Sequence, residues 1–294
     1  MAVAPIKEGG WVDVPGGKVW FLRVGRRTER PPLLVLHGGP GAPHDFLLPL
    51  RDLADERQVI FYDQLGCGNS ERPEDNGLWT VDRFVEELHL VRTGLGLEEM
   101  HVMGCSWGTM LLTSYLEEHG QDGIVSTVMS GPAISTKIFL DGARGHISSL
   151  PEEMRDRIWK AESSGTFDDP GYQEAMMEYY RRHVCRVDPW PEIVNRTFEK
   201  MGQAVYRTMW GPSEFTCTGT LKDFDNRNVL RGLDVPVLYT CGEFDEAAPC
   251  GVRKYLDITP NAEMVIFPKA SHMHHLERPS EFSRAVRGFF HRVE

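Results

Sequence analysis

The sequence contains no apolar run approaching the roughly eighteen residues that a bilayer span requires, and its mean hydropathy is −0.34. A transmembrane reading is excluded on that ground. Cysteine is sparse: the six cysteines, Cys67, Cys105, Cys185, Cys217, Cys241 and Cys250, show neither CxxC pairing nor zinc-ligand spacing. Neither a disulfide framework nor a structural zinc site is indicated, and most of these thiols are expected as small buried hydrophobes. Positive charge is also scarce, with 32 Lys and Arg against 43 Asp and Glu and a formal net charge of −11. That balance opposes attraction to nucleic acid or anionic lipid and mildly favours a cationic substrate. The N-terminal stretch MAVAPIKEGGWVDVP lacks the basic and apolar segments of a secretory signal, which reads as a cytoplasmic protein. No internal repeat or low-complexity tract is present.

What remains is an ordinary globular composition in 294 residues, enough for one large α/β domain with an insertion or for two smaller domains. Short apolar runs rich in β-branched residues predict buried strands at Leu33 to Leu36, Val59 to Tyr62, His101 to Met103, Thr127 to Met129, Val235 to Thr240 and Met264 to Phe267. Helical periodicity lies between them, clearest over Val81 to Leu95, where Val81, Phe84, Val85, Leu88, Val91 and Leu95 share one face. Alternation of this kind implies βαβ crossovers and a mostly parallel sheet flanked by helices. Trp11 to Val14 and Val19 to Val24 flank Pro15-Gly16-Gly17 and predict an antiparallel hairpin at the sheet's edge. Between about Ile134 and Phe224 the strand pattern gives way to aromatic-rich helical stretches carrying Trp159, Tyr179, Tyr180, Trp190, Phe198, Tyr206 and Trp210. The expected division is therefore an α/β core of residues 1–133 and 225–294, interrupted by a helical cap over 134–224.

Gly104-Cys105-Ser106-Trp107-Gly108 follows one of the strands and precedes a helix expected over Thr109 to His119. A serine on so sharp a strand-to-helix turn is exposed at the carboxyl edge of the sheet, and glycines two residues to either side keep strand and helix from clashing. A structural Gly-Ser-Gly turn is the plainer alternative. The loop His37-Gly38-Gly39-Pro40-Gly41 follows an earlier strand and is placed to donate to an oxyanion. Pro40 has no N–H, so Gly39 and the backbone of Trp107 are the expected donors. The loop lacks GxGxxG or a Lys-Ser/Thr ending, which argues against a phosphate loop.

A serine nucleophile needs a base and an orienting acid, in the chain order Ser, Asp or Glu, His on such a sheet. Asp245 follows the strand from Val235 and His272 follows the strand from Met264, whereas Ser130-Gly131-Pro132 after Thr127 to Met129 offers no carboxylate. Ser106, Asp245 and His272 are thus the expected catalytic residues. His274 and His275 stand beside His272, but no HExxH or carboxylate-rich cluster accompanies them, so no metal and no cofactor is expected.

Taken together, HGGPG at 37–41, Asp63-Gln64-Leu65-Gly66-Cys67-Gly68-Asn69-Ser70, the Ser106 pentapeptide, Trp210-Gly211-Pro212-Ser213-Glu214-Phe215 and Gly242-Glu243-Phe244-Asp245-Glu246 resemble the proline iminopeptidase group of α/β-hydrolases, with its tricorn-interacting aminopeptidases and amino-acid amidases. The resemblance implies the α/β-hydrolase fold and release of an N-terminal residue from a short peptide or amide through an acyl-enzyme on Ser106. It also implies that Glu214 and Glu246 hold the substrate's free α-amino group, a role that suits carboxylates facing a partly desolvated ammonium. The chain departs from the group where Thr109 and Ala270 replace a frequent Gly and Leu65 a frequent Arg, so a broader aminopeptidase or amino-acid amidase stands level with a strict prolyl enzyme. The competing readings are an esterase or lactonase acting on neutral acyl groups, since the same triad serves both bonds, and a noncatalytic ligand-binding protein on a hydrolase scaffold.

Overall fold

A computed structural model describes residues 7–294; the first six residues of the N-terminal stretch read above lie outside them. Eight strands form one sheet in the order β1-β2-β4-β3-β5-β6-β7-β8: β1 Lys7–Val14, β2 Gly17–Val24, β3 Leu33–Leu36, β4 Val59–Asp63, β5 Met100–Cys105, β6 Ile124–Ser130, β7 Val237–Gly242 and β8 Ala262–Phe267. The β1–β2 and β2–β4 pairs are antiparallel and the other pairs parallel. The expected edge hairpin is present: Val14 pairs with Gly17, leaving Pro15 and Gly16 as a two-residue turn with Gly16 at φ 90°.

Most strands run a few residues beyond the ranges read from the sequence, and two boundaries differ for a specific reason. The strand expected from Val235 begins at Val237 and runs on to Gly242, because Pro236 has no N–H to contribute to a ladder. The helix expected from Thr109 begins at Trp107, directly after the serine. The amphipathic helix is α1, Val81–Gly94; Thr80 caps it by accepting a hydrogen bond from Arg83 N–H. With α2, Trp107–His119, it covers one face of the sheet through Phe84, Leu88, Val91, Leu111 and Tyr115. The opposite face is covered by a 3₁₀ segment at His44–Asp55, through Phe46 and Leu50, and by the C-terminal helix at Pro279–Val293, through Phe282, Val286 and Phe289.

After β6 the chain leaves the sheet layer for five helices: α3 Thr136–Ile147, α4 Glu152–Ser164, α5 Pro170–His183, α6 Glu192–Glu199 and α7 Gln203–Met209. Backbone pairing of Ser135 with Asp225 brings the two ends of this excursion together. Thr136 N–H donates to Phe224 O at 2.9 Å and Asn226 N–H to Ile134 O at 3.0 Å. The remaining helices are α8 Arg227–Leu230, α9 Pro249–Leu256, α10 His274–Glu277 and α11, the C-terminal helix already described. Among the described residues no helix is long and apolar enough to cross a membrane.

Candidate active site

The chain passes from β5 into α2 through Ser106 alone, at φ 53° and ψ −119°, a conformation that side-chain-bearing residues rarely adopt. The flanking glycines follow from sterics: a Cβ on Gly104 would lie 2.5 Å from Gly108 O, and one on Gly108 2.3 Å from Leu36 O. Ser106 N–H donates to Ser130 O at 2.9 Å, which ties the elbow to β6. Thr109, one of the departures noted above, donates its hydroxyl to Ser106 O at 2.6 Å and accepts Ala133 N–H at 3.0 Å. It fills a buried position with two useful bonds.

The HGGPG loop passes directly over the serine, since a Cβ on Gly38 would sit 3.2 Å from Ser106 Cβ. Among the described residues neither Gly39 N–H nor Trp107 N–H donates to a protein acceptor; both proposed oxyanion donors are free. The loop is propped by residues to which sequence reasoning gave no role. His37 Nε2 accepts Gln64 N–H at 2.9 Å, and Gln64 Oε1 accepts Trp107 Nε1–H at 2.8 Å. Gln64 therefore joins the loop to the residue after the serine; its place in the DQLGCGNS motif was the available signal. Burial lowers the His37 pKa to about 4 even though Asp63 opposes the shift, so the imidazole is neutral and able to accept.

Asp245 lies in the turn after β7 and His272 in the loop after β8, and the fold brings them together. Asp245 Oδ1 accepts His272 Nδ1–H at 2.7 Å and Ala247 N–H at 2.8 Å, while Oδ2 accepts Gly242 N–H at 3.1 Å. Burial alone would raise the carboxyl's pKa, but the charge and hydrogen bond of His272, then His274, hold it well below the usual carboxylate range. For His272 burial works downward and is outweighed by Asp245, then by Glu246 and Glu214, so its pKa rises to about 9. The ring lies against the backbone after β6: a Cβ on Gly131 would meet His272 Cε1 at 2.4 Å. No hydrogen bond joins Ser106 Oγ to His272 among the described residues; Nε2 instead faces Glu246 Oε1 at 3.8 Å. Of the neighbouring histidines, His274 faces Asp245 Oδ2 from Nδ1 at 3.5 Å, and the other contacts lead away from the serine. His274 Nε2 bonds the Ser130 and Thr240 hydroxyls at 3.0 Å each, and His275 Nε2 donates to Phe46 O at 3.0 Å.

The inserted helices hold both of these loops. His183 O, at the end of α5, accepts His272 N–H at 3.0 Å and Glu246 N–H at 3.4 Å, and Val184 O accepts Met273 N–H at 2.9 Å. The His183 ring donates from Nδ1 to Phe244 O, and His146 of α3 from Nε2 to Asp245 O, both at 2.8 Å. The two rings stack at 4.0 Å. Sequence reasoning missed these residues.

Glu214 and Glu246 also meet here. Glu246 is buried, and neither of its carboxylate oxygens has a hydrogen-bond partner. Burial, then the charge of Glu214, pushes its pKa well above the usual carboxylate range. Glu214 keeps partial solvent contact, accepts Tyr206 O–H at 2.8 Å and donates its N–H to Tyr180 Oη at 3.2 Å. Burial raises its pKa as well. Among the described residues no lysine or arginine pairs with either carboxylate. A cavity of about 790 Å³ opens among α5, α6 and α7; Met176, Tyr180, Trp190, Phe198, Tyr206 and Glu214 are among its lining, whereas Ser106 and His272 are not.

The pattern of the family described as alpha/beta hydrolase fold matches residues 31–279. A proline iminopeptidase of Heyndrickxia coagulans is 39% identical over 285 residues, which cover 97% of this chain and 99% of that one. This chain belongs to the proline iminopeptidase group of α/β-hydrolases. Among solved structures, the proline iminopeptidase of Mycobacterium smegmatis superposes with a TM-score of 0.89 at 37% identity, covering 97% of this α/β-hydrolase and 98% of the other chain. The crystal structure of VinJ superposes with a TM-score of 0.93 at 33% identity, covering 98% of this chain and 99% of that one.

Proposed function

We propose that this α/β-hydrolase is a serine aminopeptidase that releases N-terminal residues, proline among them, from short peptides or amino-acid amides. The observation that carries the substrate class is the pair Glu214 and Glu246: Glu246 offers two unpartnered oxygens in a buried site, which a substrate ammonium would satisfy. A buried carboxylate left without a partner is costly, and a charge-assisted hydrogen bond is the strong way to supply one. Ser106 Oγ attacks the carbonyl carbon and His272 Nε2 takes its proton, while Asp245 holds the Nδ1–H tautomer and stabilises the imidazolium. Gly39 N–H and Trp107 N–H receive the oxyanion. As C–N breaks, His272 gives its proton to the leaving nitrogen, and water then repeats the sequence on the acyl-enzyme.

The core of 1–133 and 225–294 and the cap of 134–224 are part of the same reading, with Ser106, Asp245 and His272 from the core and Glu214 from the cap. We place the protein in the cytoplasm; its free cysteines suit a reducing compartment. The test is turnover of prolyl and other aminoacyl arylamides beside N-acetylated versions and simple aryl esters. A free α-amine should raise kcat/KM by about a hundredfold over its blocked counterpart, as expected for a lost charge-assisted contact of a few kcal/mol. Equal turnover of blocked and free substrates would refute the assignment and favour an esterase.

A further inference from the structure

The carboxylate that would hold the substrate's ammonium also borders the base. His272 Nδ1 is taken by Asp245 at 2.7 Å, so Nε2 must accept the serine proton, and that atom lies 3.8 Å from Glu246 Oε1. The charged and titratable groups around this edge are Asp245 and Glu246 after β7, Glu214 after α7, His274 of α10 and the hydroxyls of Tyr179, Tyr180 and Tyr206. Two carboxylates thus flank one imidazole and the charge of Glu214 also acts on it, in a site where burial weakens solvent screening.

We propose that Glu246 gates the general base: without substrate its proximity helps retain a proton on His272 Nε2, and the substrate's ammonium takes over Glu246 and Glu214, expels that proton and frees Nε2. This rests on the ammonium-binding reading above. Charge and protons balance: the free enzyme with its extra proton and the cationic substrate give the complex and one proton in solvent. Nε2 then accepts the Ser106 hydroxyl proton as the Oγ–C bond forms and the carbonyl electron pair moves onto oxygen. The upward shifts of His272, to about 9, and of Glu246 have the direction this requires. A neutral ester brings no cation, so at pH 7 it meets a protonated base. Selection for the amine is exercised on the chemical step as well as on binding.

The test uses Ser106→Ala protein and L-prolinamide, whose ring amine is protonated at pH 7. Calorimetry in two buffers of different ionisation heat should show about one proton released per amide bound, and the His272 ring signals should move toward the neutral imidazole. Adding Glu246→Gln should bring proton release toward zero, and Glu214→Gln, a second probe should the first variant misfold, should reduce it. In protein with Ser106 intact, Glu246→Gln should raise aryl acetate turnover at pH 7 about tenfold, one pKa unit of freed base, while prolyl arylamide turnover falls. Binding without proton release and with unchanged His272 signals would overturn the gate and leave the amine site standing. Undiminished L-prolinamide binding and prolyl turnover in both glutamate variants would overturn the amine site and the gate together.

Discussion

Replacing Asp245 by Asn changes one atom and tests the acid directly. Asp245 accepts at both oxygens: Oδ1 takes His272 Nδ1–H and Ala247 N–H, and Oδ2 takes Gly242 N–H. An amide can supply only one acceptor oxygen. With oxygen toward His272, the new NH₂ meets Gly242 N–H, donor against donor. With oxygen toward Gly242, the NH₂ meets Ala247 N–H, and His272 must accept at Nδ1, which places its proton on Nε2 and removes the base. Either orientation leaves a buried donor unpaired, at about 1–3 kcal/mol, and both remove the negative charge that stabilises the imidazolium. The analogous change in the serine protease template lowers kcat about 10⁴-fold, roughly 5 kcal/mol in the barrier. We expect a loss of that order for Asp245→Asn on a prolyl arylamide, with substrate affinity changed far less. Steady-state kinetics beside inhibitor binding to the same preparation measures both. The neighbouring carboxylate is the control: Glu243 is exposed and its Oε2 accepts Lys269 N–H at 2.8 Å, so Glu243→Gln should be nearly silent. The reverse pattern, a crippled Glu243→Gln and a silent Asp245→Asn, would refute the assignment.

Ser106→Ala should abolish covalent labelling by a fluorophosphonate while circular dichroism stays unchanged, since only a hydroxyl is removed; persistent labelling would place the nucleophile elsewhere. Gly131→Ala should lower kcat by on the order of a hundredfold or more, because its Cβ would displace His272 and the glycine sits at φ 53°; full activity in a folded variant would show that the ring position is not critical. Burial holds the pKa of His37, His101 and His183 at about 4 and that of His275 at about 3. Folded values below the ordinary histidine value mean that the unfolded chain binds these protons first. Their contribution is full above about pH 6.5 and is lost as pH falls toward 4, by up to about 1.4 kcal/mol per pH unit per histidine. His272, raised to about 9, has the opposite sign: its contribution is full below about 6.5 and lost as pH rises through 9. Urea midpoints at pH 4.5, 5.5, 7 and 9.5 should trace a maximum near neutrality, and a flat profile from 7 to 4.5 would count against neutral buried histidines.

The sequence made legible those features whose cause is local. Strands β3 to β6 and β8 are short apolar runs bounded by turn residues, and the elbow is legible because Gly104 and Gly108 are required by their own immediate neighbours. The turns carrying Asp245 and His272 could be placed because each follows a recognisable strand, whereas Glu214 and Glu246 were singled out through the family resemblance. What escaped depends on distant contacts. Gln64 acts through Trp107 and His146 through Asp245 O, pairings that no local pattern announces. The carbonyls of His183 and Val184 leave no side-chain signature at all. Helix α11 shows a periodic stripe of Phe282, Val286 and Phe289 that the same reasoning could have used; the shifted start of β7 follows from Pro236.

Helix α5 favours reading the two glutamates as the proposed amine site instead of a chance meeting of acids. Glu214 is held from its backbone N–H by the Tyr180 hydroxyl, and Glu246 from its backbone N–H by His183 O; Tyr180 and His183 stand one turn apart on the same helix. The same His183 carbonyl receives His272 N–H. One helix end therefore fixes the spacing of both carboxylates and of His272, although Glu214 reaches it from the far side of the insertion and Glu246 and His272 from the C-terminal strands. Two acids left to their own repulsion would move apart or turn to solvent. Here the backbone anchors prevent this, and Glu246 is buried with its oxygens unpartnered. Carboxyl groups fixed in position before the ligand arrives need no rearrangement when the ammonium binds. On the proposed reading, a substrate ammonium supplies the hydrogen bonds that Glu246 lacks in the free protein, and α5 is what ties that selectivity to the fold.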